Sequence, residues 1–129
     1  MKRESFTLSH NEWLVMEALW NAPATLMELV HILGDEPPHW SKSTTATMVR
    51  RMEDKQLITH DTEGKTKIFH PAVTRDEAAL AETRTLLDKA FSGSVGLLVN
   101  TLVRQESLSR DEIDALYAVL RQAEEQEGS

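Results

Sequence analysis

The pattern that most constrains this chain is one short motif written four times. Ser9 with Glu12, Thr25 with Glu28, Thr74 with Glu77 and Ser109 with Glu112 each set a hydroxyl three residues before a glutamate. At that spacing the hydroxyl accepts the N–H of the third helical residue, and the glutamate accepts the N–H of the capping residue. Two of the donors left over at a helix start are thereby satisfied locally. Each motif leads into apolar residues at helical spacing, so the chain is expected to be mainly α.

The first helix is expected over residues 9–20. Trp13, Met16 and Trp20 fall at i, i+3 and i+7, with Val15 and Leu19 widening the stripe, and Asn21-Ala22-Pro23 ends it. The second runs over residues 26–33 on Leu26, Leu29, Val30 and Leu33, and Gly34 is expected to cap it in the left-handed conformation. Residues 35–38 form a loop, and a third helix spans residues 41–55. Residues 57–60 and 67–70 are strand candidates around a turn at 61–65, with Pro71 as a stop. Pro23-Ala24-Thr25 is a candidate third strand. Three further helices are expected over 75–91, 94–103 and 110–124, with connections at 92–94 and 105–107 and a frayed tail at 124–129.

Three helices and then a hairpin is the order of a winged helix-turn-helix. The fold class is therefore mainly α with a small β-hairpin: a DNA-binding domain over residues 1–73, followed by a helical dimerisation region over 74–129. Val95, Leu98, Val99 and Leu102, and then Ile113, Leu116 and Leu120, form stripes at helical spacing. Some fifty residues cannot bury that much apolar surface alone, so these seven are assigned to a homodimer interface.

Composition removes several function classes. No apolar run approaches the roughly 18–20 residues of a membrane helix, and the basic start lacks the apolar stretch of a secretory signal, so a cytoplasmic protein is expected. The chain has no cysteine, which excludes disulfides, thiol catalysis and cysteine-held metals. Neither Gly-rich phosphate-loop pattern occurs.

The net charge of −7 argues at first against nucleic acid, but the distribution is uneven. Residues 1–75 carry nine Lys/Arg and ten Asp/Glu, whereas residues 76–129 carry five and eleven. Residues 42–75 hold seven basic side chains (Lys42, Arg50, Arg51, Lys55, Lys65, Lys67 and Arg75) against four acidic ones. A local basic face of this kind suffices for phosphate binding.

At 100° per residue, Thr45, Met48, Val49 and Met52 share the core face of the third helix. Ser43, Thr44, Ala46 and Thr47 are then free at its N-terminal half. They are small enough to enter a major groove, with hydroxyls for base edges and methyls for thymine. Lys42, Arg50 and Arg51 are assigned to phosphates, as are Lys65 and Lys67 on the hairpin.

The remaining candidates have blander explanations. His10, His31, His39, His60 and His70 make no metal-ligand spacing, although His60 and His70 could face each other across the hairpin. No metal or cofactor is expected. Trp13 and Trp20 are assigned to the core, and Trp40 to stapling the third helix. Asp111, Glu112 and Asp114 open a helix and complement its dipole. No Ser-His-Asp arrangement can be drawn, and no enzyme is expected.

Three segments in order resemble one family. Residues 8–20 (LSHNEWLVMEALW) carry the pattern ExxVMxxLW through Glu12, Val15, Met16, Leu19 and Trp20, with Trp13 inside it. Residues 40–58 (WSKSTTATMVRRMEDKQLI) and 108–120 (LSRDEIDALYAVL) resemble the recognition helix and the last dimerisation helix of the penicillinase repressors, the BlaI/MecI/CopY family. The likeness runs from about Leu8 to Arg121. It implies a homodimer on double-stranded palindromic operators with TACA/TGTA-type half-sites, controlling its own operon and resistance or stress genes. It also implies a membrane metalloprotease sensor that cuts an Asn-Phe bond. The matching bond here is Asn100–Thr101, which keeps the Asn and lacks the aromatic. The copper-responsive branch senses through a C-terminal cysteine cluster, which this chain lacks. The alternative from another class is a winged-helix protein-interaction module that does not bind DNA specifically and works through its acidic C-terminal half.

Overall fold

The computed structural model describes residues 6–105 and 108–128. The expected connection at Glu106 and Ser107, the basic start and Ser129 lie outside the described residues. The order is α1 (His10–Asn21), α2 (Leu26–Asp35), α3 (Lys42–Asp54), β1 (Ile58–Glu63), β2 (Thr66–Pro71), α4 (Arg75–Phe91), α5 (Val95–Arg104) and α6 (Arg110–Glu127). This is a winged helix-turn-helix followed by helices. The chain forms two compact units, Met1–Thr85 and Leu86–Ser129, so the first part of α4 belongs to the first unit.

All four capping boxes form. Ser9, Thr25 and Ser109 cap α1, α2 and α6 reciprocally with Glu12, Glu28 and Glu112. Thr74 and Glu77 do the same at α4, at 2.8 and 3.0 Å.

The core of the first unit is built by Val15, Met16 and Leu19 of α1, Leu29 and Leu33 of α2, Val49 and Met52 of α3, Leu57 and Ile58 at β1, Phe69 of β2, and Val73 and Ala78 around the start of α4. The buried stripe of α1 is thus centred on Val15, Met16 and Leu19 and not on the tryptophans. Trp13 and Trp20 are half-buried at its rim, where they meet edge to face at 5.3 Å. Their ring edges stay at the boundary, so the Trp20 indole Nε1 can donate to the Val73 carbonyl at 2.9 Å. Trp40 packs partly buried against the core just before α3.

The hairpin is longer than expected. It pairs from Ile58↔Pro71 out to Glu63↔Thr66, leaving only Gly64-Lys65 as the turn. Gly64 adopts φ +65, a conformation that glycine takes without a Cβ penalty. Cross-strand hydrogen bonds convert residues 61–63, which look turn-like in isolation, into strand. The candidate third strand reduces to one bridge between Ala24 and Phe69, with N–H···O distances of 3.2 and 2.8 Å.

Two other local expectations are corrected. Gly34 stays helical and α2 runs on to Asp35. Its exit is closed by the Trp40 N–H on the Leu33 carbonyl at 3.0 Å and by His39 Nδ1 donating to the Gly34 carbonyl at 2.9 Å, and His39 takes the positive φ of +59 instead. The tail is not frayed from Glu124: α6 continues to Glu127 and ends at Gly128, because Glu and Gln sustain a helix until a glycine is reached.

In the second unit neither α5 nor α6 buries any side chain fully. Among the described residues no single helix is long and apolar enough to cross a membrane.

Candidate nucleic-acid interface

The exposed surface of α3 begins with its cap. Ser41 Oγ accepts the Thr44 N–H at 3.1 Å and donates to Thr44 Oγ1 at 3.0 Å, so the Thr44 hydroxyl keeps its own proton free to donate. Thr45 turns inward, is fully buried, and bonds back to the Ser41 carbonyl at 3.1 Å. Lys42, Ser43 and Thr44 are exposed, Ala46 and Thr47 are half-buried at the flank, and Arg50 and Arg51 are exposed one turn later. These seven residues thus form one continuous strip on α3.

Lys65 sits at the tip of the hairpin and Lys67 two residues beyond it. A groove separates the hairpin from α3. Ala46, Arg50 and Glu53 line it from α3, Lys65 and Lys67 from the hairpin, and Leu26 and Met27 from the start of α2. Met27 and Glu53 were not among the site residues expected from sequence. Met27 is 47% exposed; the signal in the sequence is that this apolar residue stands off the α2 stripe of Leu26, Leu29, Val30 and Leu33.

Two of the seven local cations are engaged elsewhere. Lys55 Nζ lies 2.6 Å from Glu12 Oε2, and Arg75 makes a two-pronged pair with Glu17 at 2.5 and 2.9 Å. Arg75 also stacks over the Trp20 ring at 4.9 Å. Burial opposes ionisation of Glu12, but hydrogen bonds from Lys55 and from the Ser9 N–H, with the Lys55 charge, outweigh it and hold the carboxyl below its ordinary value. The hydrogen bond from Arg75 depresses Glu17 likewise, and Glu17 in turn raises Arg75. Lys42, Arg50, Arg51, Lys65 and Lys67 remain without an ion-pair partner among the described residues, and all five are exposed.

The histidines do not form a pair. His60 stands opposite Phe69, and His70 opposite Thr59, so the alternation of the strands puts them on different faces. His60 Nδ1 bonds the Glu53 carboxylate, and His70 lies 3.1 Å from Asp61.

In the second unit Leu98, Val99, Ile113 and Leu116 are half-buried, while Val95, Leu102 and Leu120 are exposed. Val99, Val103, Ile113, Leu116 and Leu120 line an apolar cleft that α5 and α6 form. Tyr117, which shares the helical spacing of Ile113, Leu116 and Leu120, is exposed as well, and Leu97, Val103 and Val119 are further exposed apolar side chains that the stripes read from sequence did not include. Asn100 and Thr101 are both exposed in the middle of α5, with Thr101 Oγ1 bonded back to the Leu97 carbonyl at 2.9 Å.

The family model described as penicillinase repressor matches residues 8–122. Among curated proteins, the methicillin resistance regulatory protein MecI of Mammaliicoccus sciuri is 25% identical over 124 residues, covering 93% of this chain and 98% of that protein. The penicillinase repressor of Bacillus licheniformis is 24% identical over 116 residues, covering 89% of this chain and 90% of the relative. That of Staphylococcus aureus is 22% identical over 120 residues, with coverages of 93% and 95%. With a match that spans the winged helix and the helices after it, this chain belongs to the penicillinase repressor family.

Proposed function

We propose that the chain is a homodimeric transcriptional repressor that binds palindromic operator DNA. The observation that carries this reading is the strip on α3. Small side chains (Ser43, Thr44, Ala46 and Thr47) stand at the start of the helix, flanked by cations without an ion-pair partner among the described residues. Such a surface fits a major groove: the small residues reach base edges, while Lys42, Arg50 and Arg51 hold phosphates and the wing adds Lys65 and Lys67. The names of the relatives, a methicillin resistance regulator and penicillinase repressors, support the same reading.

In this assignment residues 1–73 bind DNA and residues 74–129 pair two copies, in the cytoplasm. Val95, Leu98, Val99, Leu102, Ile113, Leu116 and Leu120 make the interface, since a lone copy leaves them exposed or half-buried. Two linked half-sites then bind far more tightly than one. The regulated genes are the repressor's own operon and resistance or stress genes, and a membrane metalloprotease sensor is the candidate upstream partner.

Footprinting of the region upstream of the gene itself tests the proposal. A protected, two-fold symmetric site is expected, with an affinity that falls steeply with salt. Five phosphate contacts per half-site correspond to a slope of about −4.5 in log affinity against log salt for each half-site. Absence of protection at any duplex at micromolar protein would overturn the proposal.

A further inference from the structure

Arg75 opens α4 and ties it to α1. Its guanidinium donates to both oxygens of Glu17, at 2.5 and 2.9 Å, and lies 4.9 Å over the Trp20 ring. That ring is held from two further sides. Trp13 meets it edge to face, and its Nε1 donates to the carbonyl of Val73, two residues before Arg75. As a stabilising contact the ion pair is weak, since the Arg75 and Glu17 side chains are 54% and 48% exposed. As a geometric constraint it is strong, because a planar fork set on a carboxylate and an aromatic face allows few orientations.

Burial gives α4 little else to hold it. Among its described residues Ala78 alone is buried, and after it only Ala81, Leu87 and Phe91 are even half-buried. A helix seated on one small side chain can tilt about it. Arg75 stands one turn before Ala78 on neighbouring positions of the same face, so the clamp supplies the second point that fixes the tilt. The lever is long. At 1.5 Å per residue Phe91 lies roughly 24 Å along the axis from Arg75, and a tilt of about 10° moves it by about 4 Å. One base-pair step is about 3.4 Å. The same helix carries the chain out of the first unit, because its residues from Leu86 onward belong to the second.

We infer that Arg75 is a positioning residue: clamped to Glu17 and Trp20, it fixes the angle at which α4 leaves the winged helix and thereby the half-site spacing that the dimer accepts on its operator. Both recognition helices must meet major grooves at one separation, and each added base pair rotates the second half-site by about 35°. A held α4 discriminates between spacings. A loosened α4 accepts several, with a lower peak affinity, because the freedom it gains is lost again on binding.

This inference rests on the operator reading, and the test separates the two. Affinity is measured by fluorescence anisotropy for the footprinted operator, for the same operator with one or two base pairs inserted or removed between half-sites, and for a single half-site. The proteins are the wild type, Arg75→Ala, Arg75→Lys and Glu17→Ala. The wild type is expected to lose about tenfold or more for one base pair added or removed. In all three variants that penalty is expected to shrink to about threefold or less, with affinity for the native spacing lowered about three- to tenfold. Single half-site affinity is expected to stay within about twofold of the wild type, which also reports that the winged helix is folded. Lysine keeps the charge without the fork, and Glu17→Ala changes the net charge in the opposite sense to Arg75→Ala. A shared loss of spacing discrimination therefore comes from the clamp and not from attraction to phosphates. Arg75→Ala weakening the single half-site as much as the operator, with Arg75→Lys restoring both, would make Arg75 a phosphate contact and overturn the inference. So would variants that keep the wild-type spacing penalty, or a wild type indifferent to spacing. Each of these leaves operator binding intact, whereas failure of the wild type to bind any duplex overturns both.

Discussion

Glu12 and Lys55, 43 residues apart in sequence, meet at 2.6 Å between Oε2 and Nζ. The other oxygen of the same carboxylate accepts the Ser9 N–H at 2.8 Å. One buried side chain therefore both completes the cap of α1 and anchors the C-terminal end of α3. The contact ties the C-terminal end of α3 to α1, beside the packing of Val49 and Met52 in the shared core.

The depressed Glu12 carboxyl makes this contact pH-dependent. The folded chain keeps Glu12 ionised to lower pH than the unfolded chain does, so its contribution is full above the ordinary value of 4.5 and is lost as pH falls through the lowered folded value. Glu12→Gln is expected to lose roughly 1–2 kcal/mol at pH 7, the range for a hydrogen bond to a charged group discounted because Lys55 is largely exposed. The deficit should shrink on acidification below about pH 4.5. Denaturant midpoints at pH 7 and pH 3.5 measure it, and a deficit that does not change between them would refute the assignment.

Trp20 ties α1 to the start of α4 by a hydrogen bond to Val73 and by the Arg75 guanidinium over its ring. Trp20→Phe keeps an aromatic face for Arg75 and removes the N–H donor, leaving the Val73 carbonyl without that partner. A loss of about 1 kcal/mol is expected. In thermal unfolding that corresponds to a midpoint lowered by roughly 3–6 °C for a chain of this size. An unchanged midpoint would mean that water replaces the indole without cost.

Leu116 lines the cleft between α5 and α6, amid apolar side chains that a single copy leaves uncovered. Leu116→Asp places a charge there and is expected to give monomers in sedimentation at micromolar concentration, with operator affinity reduced about a hundredfold or more by the absence of the second half-site. Wild-type protein that sediments as a monomer under the same conditions would remove the basis for the pairing region.

Arg50 and Arg51 should behave differently from Thr47. Either arginine changed to alanine is expected to weaken all DNA sequences alike and to reduce the salt slope by about one unit for each phosphate no longer neutralised. Thr47→Val keeps the shape and a methyl but deletes the hydroxyl, so it is expected to cost about 1–3 kcal/mol of discrimination against wrong bases. Competition with operator variants reads the difference. An unchanged ranking of variants in Thr47→Val would mean that the assigned docking face is wrong.

The Asn100–Thr101 bond lies within α5, and the Thr101 hydroxyl is bonded back along the same helix. Helical peptide bonds must unwind before a protease can bind them. On co-expression with the nearest encoded membrane metalloprotease and addition of inducer, the chain is expected to stay intact by mass spectrometry. A new C-terminus at Asn100 would show that α5 opens and that this bond is the switch.

Much of the fold was legible because it is local. A capping box spans four residues and a helical stripe about eight, so the four boxes and the core face of α3 could be placed from the sequence without any knowledge of neighbours. The strip from Lys42 to Arg51 follows from helix geometry alone.

What only tertiary structure decided is everything set by partners distant in the chain. Whether residues 61–63 turn or pair depends on strand β2 across from them, and the same register separates His60 from His70. Sequence counts Lys55 and Arg75 with the free cations, but Glu12 and Glu17 claim them from 43 and 58 residues away. Gly34 reads as a helix end until Trp40 closes on Leu33. The groove joining Glu53 to the wing exists only once α3 and the hairpin share a core. Local hydrogen bonding and periodicity are written in short segments, whereas charge pairing and register are decided by which surfaces the burial of apolar side chains brings together.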